Sequence, residues 1–190
     1  HGYTAICHNL HFRAGPSASP DDAAAATRAA GGVPDDRFIG DTGGAIRFLR
    51  ALPSCSGKVG VIGYCSGGRQ AFLTAATLEV DAAVVCYGGA IVNPPPASSG
   101  FKIEALLPRA AGISCPILGL FGADDTHPRP DEVRQLDQEL TRLDRQHEFH
   151  ILPDAGHGFF ATDRDSYRVQ AAREGWRLIW DFFGSHLEAS

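Results

Sequence analysis

The 190-residue sequence has no methionine, no CxxC pair, no run of basic residues, and no apolar stretch near the roughly 20 residues that cross a bilayer. Each absence removes a class of protein. Cys7, Cys55, Cys65, Cys86 and Cys115 are odd in number and widely scattered. They suggest neither a zinc knuckle nor a disulfide framework, and a reducing, cytoplasmic setting fits them best. With 17 basic against 22 acidic residues the net charge is −5, which gives nucleic acid no electrostatic footing. Without a long apolar run no membrane helix is expected, and the opening "HGYTAICHNLHFR" is not a signal peptide. The missing methionine, together with a first residue placed in what reads as a strand, predicts that the chain continues upstream of His1. What is present describes a soluble globular protein of one domain, residues 1–190: 44% of residues are hydrophobic and 21% charged, and the chain is long enough to bury a proper core.

The hydrophobic pattern predicts an α/β fold. "YTAICHNL", Tyr3 to Leu10, reads as a short strand, and "PDDAAAATRAA" from Pro20 as a helix started by proline and two acids and stopped by Gly31 and Gly32. "DDRFIGDTGGAIRFLRAL" reads as a second helix, with Ile39, Ile46 and Leu49 on one face and Pro53 ending it. From there strands and helices alternate: "KVGVIGY", "DAAVVCYGG", "PILGLFG" and "HEFHILP" as strands, with "GGRQAFLTAATL", "RPDEVRQLDQELTRLDR" and the closing "DSYRVQAAREGWRLIWDFFGSHL" as helices. Continuous apolar strands separated by helices mean a parallel sheet covered on both faces. No domain boundary or repeat interrupts it.

The chemistry centres on "GYCSGG", Gly63 to Gly68. A strand that turns at once into a helix strains the residue at the turn and projects it from the sheet, and Gly63 and Gly67, two before and two after, leave room for strand and helix to approach. That residue is Cys65. Ser66, the next residue, is then the backbone N–H donor of an oxyanion hole. A structural reading competes, since cysteine is among the most buried residue types. A working thiol needs a base, a positive neighbour or a helix N-terminus to lower its pKa of about 8.5. Active sites of open α/β sheets gather at the C-terminal ends of strands. There "HILPDAGHGFF" offers His157, and "LGLFGADDTHP" offers Asp124 and Asp125, in the chain order nucleophile, acid, histidine. Asp125 is the preferred acid, with Asp124 capping the turn. The remaining histidines, His8, His11, His127, His147, His150 and His186, do not suggest a metal site, and no cofactor is required.

With these motifs in hand the sequence resembles the dienelactone hydrolase family. "GYCSGG" is similar to its cysteine elbow, "GADDTHPRPDEV" to its acid loop, "DAGHGFF" to its histidine loop, and "GYTAICHNLHFRAG" and "DTGGAIRFLRALP" to its upstream segments, so that the resemblance covers essentially the whole chain. It implies an α/β-hydrolase fold and a Cys65–His157–Asp125 triad acting on a small ester or lactone. It also implies a substrate-binding role for Arg13; Tyr87, just beyond the next strand, reads equally as a residue lining the pocket or as a packed strand-end tyrosine. Two departures bear on the substrate: the family's second substrate-binding arginine, four residues after the histidine, is Ala161 here with Arg164 nearby, and its "PDLY" reads His8-Asn9-Leu10-His11. Family members also carry strands before "GYTAICHNL". These include a loop giving the second oxyanion donor, a glutamate that meets the resting cysteine, and one strand expected between "YTAICHNL" and "KVGVIG". Two other uses of the site remain: a non-catalytic relative that binds a small molecule or partner protein, and a redox thiol resolved by Cys86, which would require Cα atoms about 4.4 to 6.8 Å apart.

Overall fold

A computed structural model of the chain describes residues 2–14 and 19–188. Four short apolar runs pair into one sheet: β1 (Gly60–Tyr64), β2 (Ala82–Cys86), β3 (Ile117–Gly122) and β4 (His147–Leu152). The order is β1-β2-β3-β4 and every pairing is parallel. The registers place Tyr64 beside Cys86, Cys86 beside Leu120 and Leu120 beside His150. The strand C-termini therefore lie along one edge, and the loops leaving them open on the same side.

The helices follow the expected pattern: α1 (Pro20–Ala29), α2 (Asp35–Arg50), α3 (Ser66–Thr77), α4 (Pro130–Arg142) and α5 (Val169–Leu187). Because alternate strand residues point to opposite faces, the sheet has two cores. Ala83, Val85, Ile117 and Phe121 face a core shared with α2, α3 and α4. Ala82, Val84, Leu118 and Leu120 face a core closed by Leu178, Ile179, Phe182 and Phe183 of α5. Helix α4 shows how local sequence sets this up. Pro130 starts it, the Glu132 carboxylate accepts the Arg129 N–H at 3.0 Å, and Val133, Leu136 and Leu140 are its buried face. Burying each such side chain contributes about 1.5 to 3 kcal/mol.

The expected strand over Tyr3–Leu10 is corrected: Gly2–Asn9 has no regular secondary structure. A strand is held by ladder bonds to a neighbour, and among the described residues none reaches this segment. Side chains hold it instead, with Tyr3 stacked on Trp180 at a centroid distance of 6.2 Å and His8 against Phe38 at 5.6 Å. Between it and the outer edge of β1 lies a cleft of about 880 Å³, lined by Ile6, Val61, Trp180, Phe183 and Leu187 among others. Among the described residues no strand occupies that position, and the outer edge of β1 has no ladder partner.

Candidate active site

Strand β1 ends at Tyr64 and α3 starts at Ser66, so one residue makes the whole turn. Cys65 does so at φ 57° and ψ −120°, a left-handed conformation that a side chain seldom adopts. Such strain costs about 1 to 3 kcal/mol and persists only where the surroundings enforce it. Here the Cys65 N–H donates to the Cys86 carbonyl at 3.0 Å, and the Cys65 carbonyl accepts from Gly68 at 2.9 Å and Arg69 at 3.3 Å.

Close packing needs glycine at two positions. A Cβ on Gly63 would overlap the Gly67 carbonyl, and one on Gly68 would lie 2.6 Å from the Cys86 carbonyl oxygen and 2.8 Å from the Gly88 Cα. Gly67 itself faces open space. The glycine that brings α3 against β2 is thus Gly68 rather than Gly67, an assignment that spacing along one strand does not reveal.

Asp125 is 3% exposed and both of its carboxylate oxygens are engaged. One accepts the His127 backbone N–H at 2.8 Å, and the other lies 3.0 Å from His157 Nδ1. Asp124 is exposed, and its N–H donates to the Ala155 carbonyl at 2.9 Å. Gly122 makes that approach possible, since a Cβ there would collide with the same carbonyl. The acid loop and the histidine loop are therefore pinned together by backbone before their side chains meet.

With Nδ1 taken by Asp125, Nε2 of His157 is left for the thiol of Cys65. The hydrogen bond to Asp125 first, and that to Cys65 second, push the imidazole pKa up to about 10 against the opposing effect of burial. The Cys65 thiol moves the other way. Its hydrogen bond to His157 lowers its pKa, helped by the imidazolium charge and the Ser66 backbone N–H, while burial and the Asp125 charge oppose the shift. Both displacements favour a thiolate–imidazolium pair, and the side chain of Cys65 reaches the surface.

The other residues singled out in the sequence lie elsewhere. Arg13 is exposed and makes a two-pronged ion pair with Asp41 of α2, its second nitrogen at 2.8 Å. Its hydrogen bonds and ion pair go to Asp41 rather than to Cys65, Asp125 or His157. Tyr87 is 3% exposed and meets the His157 ring edge-to-face, with centroids 5.1 Å apart. Cys86 is fully buried in the α5-side core, and burial drives its thiol pKa well up. All five cysteines are free. Among the described residues no group of three or more His, Cys, Asp or Glu side chains is placed to hold a metal, and no helix is long and apolar enough to cross a membrane.

Sequence reasoning missed an aromatic cluster beside the elbow. Tyr64 meets Phe160 at 5.5 Å, and Phe160 meets Trp176 of α5 at 5.4 Å. Its members lie far apart in the chain, and only the topology assembles them.

Residues 1–187 match the family model described as the dienelactone hydrolase family. The chain belongs to the dienelactone hydrolase family. Its fold is accordingly the α/β-hydrolase fold, represented here by the four parallel strands and their flanking helices. A carboxymethylenebutenolidase from Pseudomonas putida is 33% identical over 176 residues, covering 90% of this chain and 69% of that protein. A candidate carboxymethylenebutenolidase from Yersinia pestis is 28% identical over 187 residues, covering 97% of this chain and 68% of that protein. Among solved structures, a candidate dienelactone hydrolase from Klebsiella pneumoniae superposes with a TM-score of 0.80 at 26% identity, covering 93% of this chain and 73% of that one.

Proposed function

We propose that this dienelactone hydrolase family member cleaves a small ester or lactone through Cys65, His157 and Asp125. The observation that carries the reading is the placement of His157 between a buried carboxylate at 3.0 Å and a thiol with a lowered pKa at a strained turn.

The Cys65 thiolate attacks the substrate carbonyl carbon, and the carbonyl electron pair moves to oxygen. The Ser66 N–H, already directed at the sulfur in the resting site, turns to that oxyanion. Collapse of the tetrahedral species breaks the C–O bond, and the leaving oxygen takes the proton of the His157 imidazolium. Neutral His157 then accepts a proton from water as the water attacks the thioester. The second collapse returns the thiolate beside the His157 imidazolium and releases the carboxylic acid, which loses its proton to solvent. Asp125 holds the imidazole in the tautomer that both steps require. In a lactone the leaving oxygen stays tethered to the acyl group, so the ring-opened hydroxy acid leaves in one piece.

The Pseudomonas putida relative's name specifies a butenolide substrate, and the reading extends only the ester or lactone class to this chain. Arg13 is offered as a contact for a substrate carboxylate, which would compete with Asp41 for the guanidinium. A reducing, cytoplasmic setting would keep the exposed thiolate competent.

Hydrolysis of p-nitrophenyl acetate by wild type, Cys65→Ala and Cys65→Ser tests the reading. Loss of turnover in the alanine variant is expected. Hydrolysis as fast as wild type by that variant would overturn the mechanism and favour a non-catalytic binding protein.

A further inference from the structure

The residue after β2 is built unlike an ordinary strand end. Tyr87 has φ 38°, a left-handed backbone that is a genuine outlier for so bulky a side chain. The strain is held from three directions. Its N–H donates to the Leu120 carbonyl at 2.7 Å, extending the ladder toward β3 by one residue. Gly88, next in the chain, lies so close to α3 that a Cβ there would sit 2.8 Å from the Gly68 carbonyl carbon and 2.9 Å from the Arg69 nitrogen. The phenol ring turns toward the histidine loop, edge-to-face on His157 and on Phe159, with centroids 5.1 Å away in each case, and it also meets Phe160 at 6.3 Å. Its hydroxyl faces the Phe160 backbone N–H. Residues 86 to 88 thus touch the cysteine elbow on one side and the histidine loop on the other.

We propose that Tyr87 is a positioning residue whose ring fixes the His157 imidazole in the orientation that presents Nε2 to Cys65. This rests on the triad reading above. Asp125 holds Nδ1 and the Cys65 thiol meets Nε2, but these two bonds leave the ring free to turn about the line that joins them, and the edge-to-face contact of Tyr87 stops that turn. The ionisable groups around the phenol are His157, Cys65, Cys86, Arg164 and Tyr64. Burial keeps the hydroxyl protonated, so the contact is one of shape and ring dipole rather than charge. The strain at φ 38° is then part of the site, as backbone strain next to reacting groups often is.

The test uses Tyr87→Met, which fills the space without a ring, and Tyr87→Phe, which keeps the ring and loses the hydroxyl. Iodoacetamide alkylation of Cys65 is followed against pH, with kcat and KM for p-nitrophenyl acetate measured alongside. The methionine variant is expected to lose about tenfold of the alkylation rate at pH 7, the equivalent of one pKa unit. Its kcat should fall about 10- to 100-fold with KM within twofold, because a misplaced base loses part of its contribution of roughly 10² to 10⁴. The phenylalanine variant should restore both.

A folded methionine variant with a wild-type alkylation profile and kcat would overturn the proposal. So would a phenylalanine variant that itself loses the low alkylation midpoint, which keeps the test decisive if the methionine variant does not fold. If wild-type Cys65 reacts no faster than an ordinary thiol at pH 7, the triad reading has failed, and the positioning proposal falls with it; that outcome is distinguished by the wild-type curve alone.

Discussion

Asp124 donates its backbone N–H to the carbonyl of Ala155 at 2.9 Å, and this one bond ties the loop carrying Asp125 to the loop carrying His157. The side-chain contact at 3.0 Å between Asp125 and His157 is downstream of it. Gly122 is the residue that lets the two loops approach. Gly122→Ala would drive a methyl group into the Ala155 carbonyl. The expected outcome is a loss of about 1 to 3 kcal/mol, the usual cost of overpacking, with kcat falling further than a destabilised but intact site would require. Urea unfolding together with kcat at a temperature where the variant is fully folded checks both parts.

Arg69 and Asp35 form a second, structural pair. The guanidinium, 6% exposed, meets the Asp35 carboxylate at 2.7 and 3.1 Å and donates to the Glu104 carbonyl at 2.8 Å, joining α3 to α2 and to the loop before β3. Arg69→Met removes one partner and leaves a mostly buried carboxylate behind. Breaking such a pair costs about 3 to 5 kcal/mol, and Arg109, 4.0 Å from Asp35, should hold the loss near the lower figure. Adding Asp35→Leu to Arg69→Met should recover a good part of it. Chemical denaturation of the single and double variants decides whether the buried charge, rather than lost packing, is the cause.

Much of this was legible in the sequence, for definable reasons. β1 to β4 and the helices between them carry their periodicities locally, and the Cys65 turn is written in a six-residue stretch. Asp125 and His157 follow from the rule that loops at strand C-termini meet. Tyr3–Leu10 misled because an apolar run states a preference for extended backbone and says nothing about a partner to bond. The need for glycine at Gly68 went unread because the crowding there comes from Cys86 at the end of β2 and from Gly88 just beyond it. Tyr87 could be read either as a pocket residue or as a packed strand-end tyrosine, because only the fold shows which way a left-handed strand end turns its ring.

Asp125→Asn isolates the acid. The neutral amide still fits the space, but it removes the charge and with it the main cause of the raised His157 pKa. That pKa should drop from about 10 toward the ordinary 6.5. An amide can also hold the ring in the wrong tautomer, and a loss of about 10⁴ in kcat is the scale set by the equivalent change in a serine triad. An NMR titration of the His157 ring protons checks the first effect and p-nitrophenyl acetate turnover the second. An unchanged titration would mean that the 3.0 Å contact does not charge the imidazole.

The same pair fixes the pH dependence of the thiol. Cys65 has a folded pKa below its unfolded value, so its thiolate, and the stability that thiolate brings, is lost as pH falls through the folded value. His157 has a folded pKa raised to about 10, so its imidazolium persists up to about that pH, and the stability it brings is complete below the unfolded value near 6.5 and is lost as pH rises through about 10. The reactive ion pair therefore occupies the window between the lowered cysteine pKa and about 10. Iodoacetamide alkylation of Cys65 should climb to a plateau at a lower pH than the roughly 8.5 midpoint of a free cysteine. Acylation by p-nitrophenyl acetate, which also needs the imidazolium proton for the leaving group, should fall again near pH 10. A single alkylation midpoint at or above 8.5 in wild type would show that Cys65 gains nothing from His157 or the Ser66 amide. A low midpoint that moves up in His157→Gln would assign the stabilisation to the histidine.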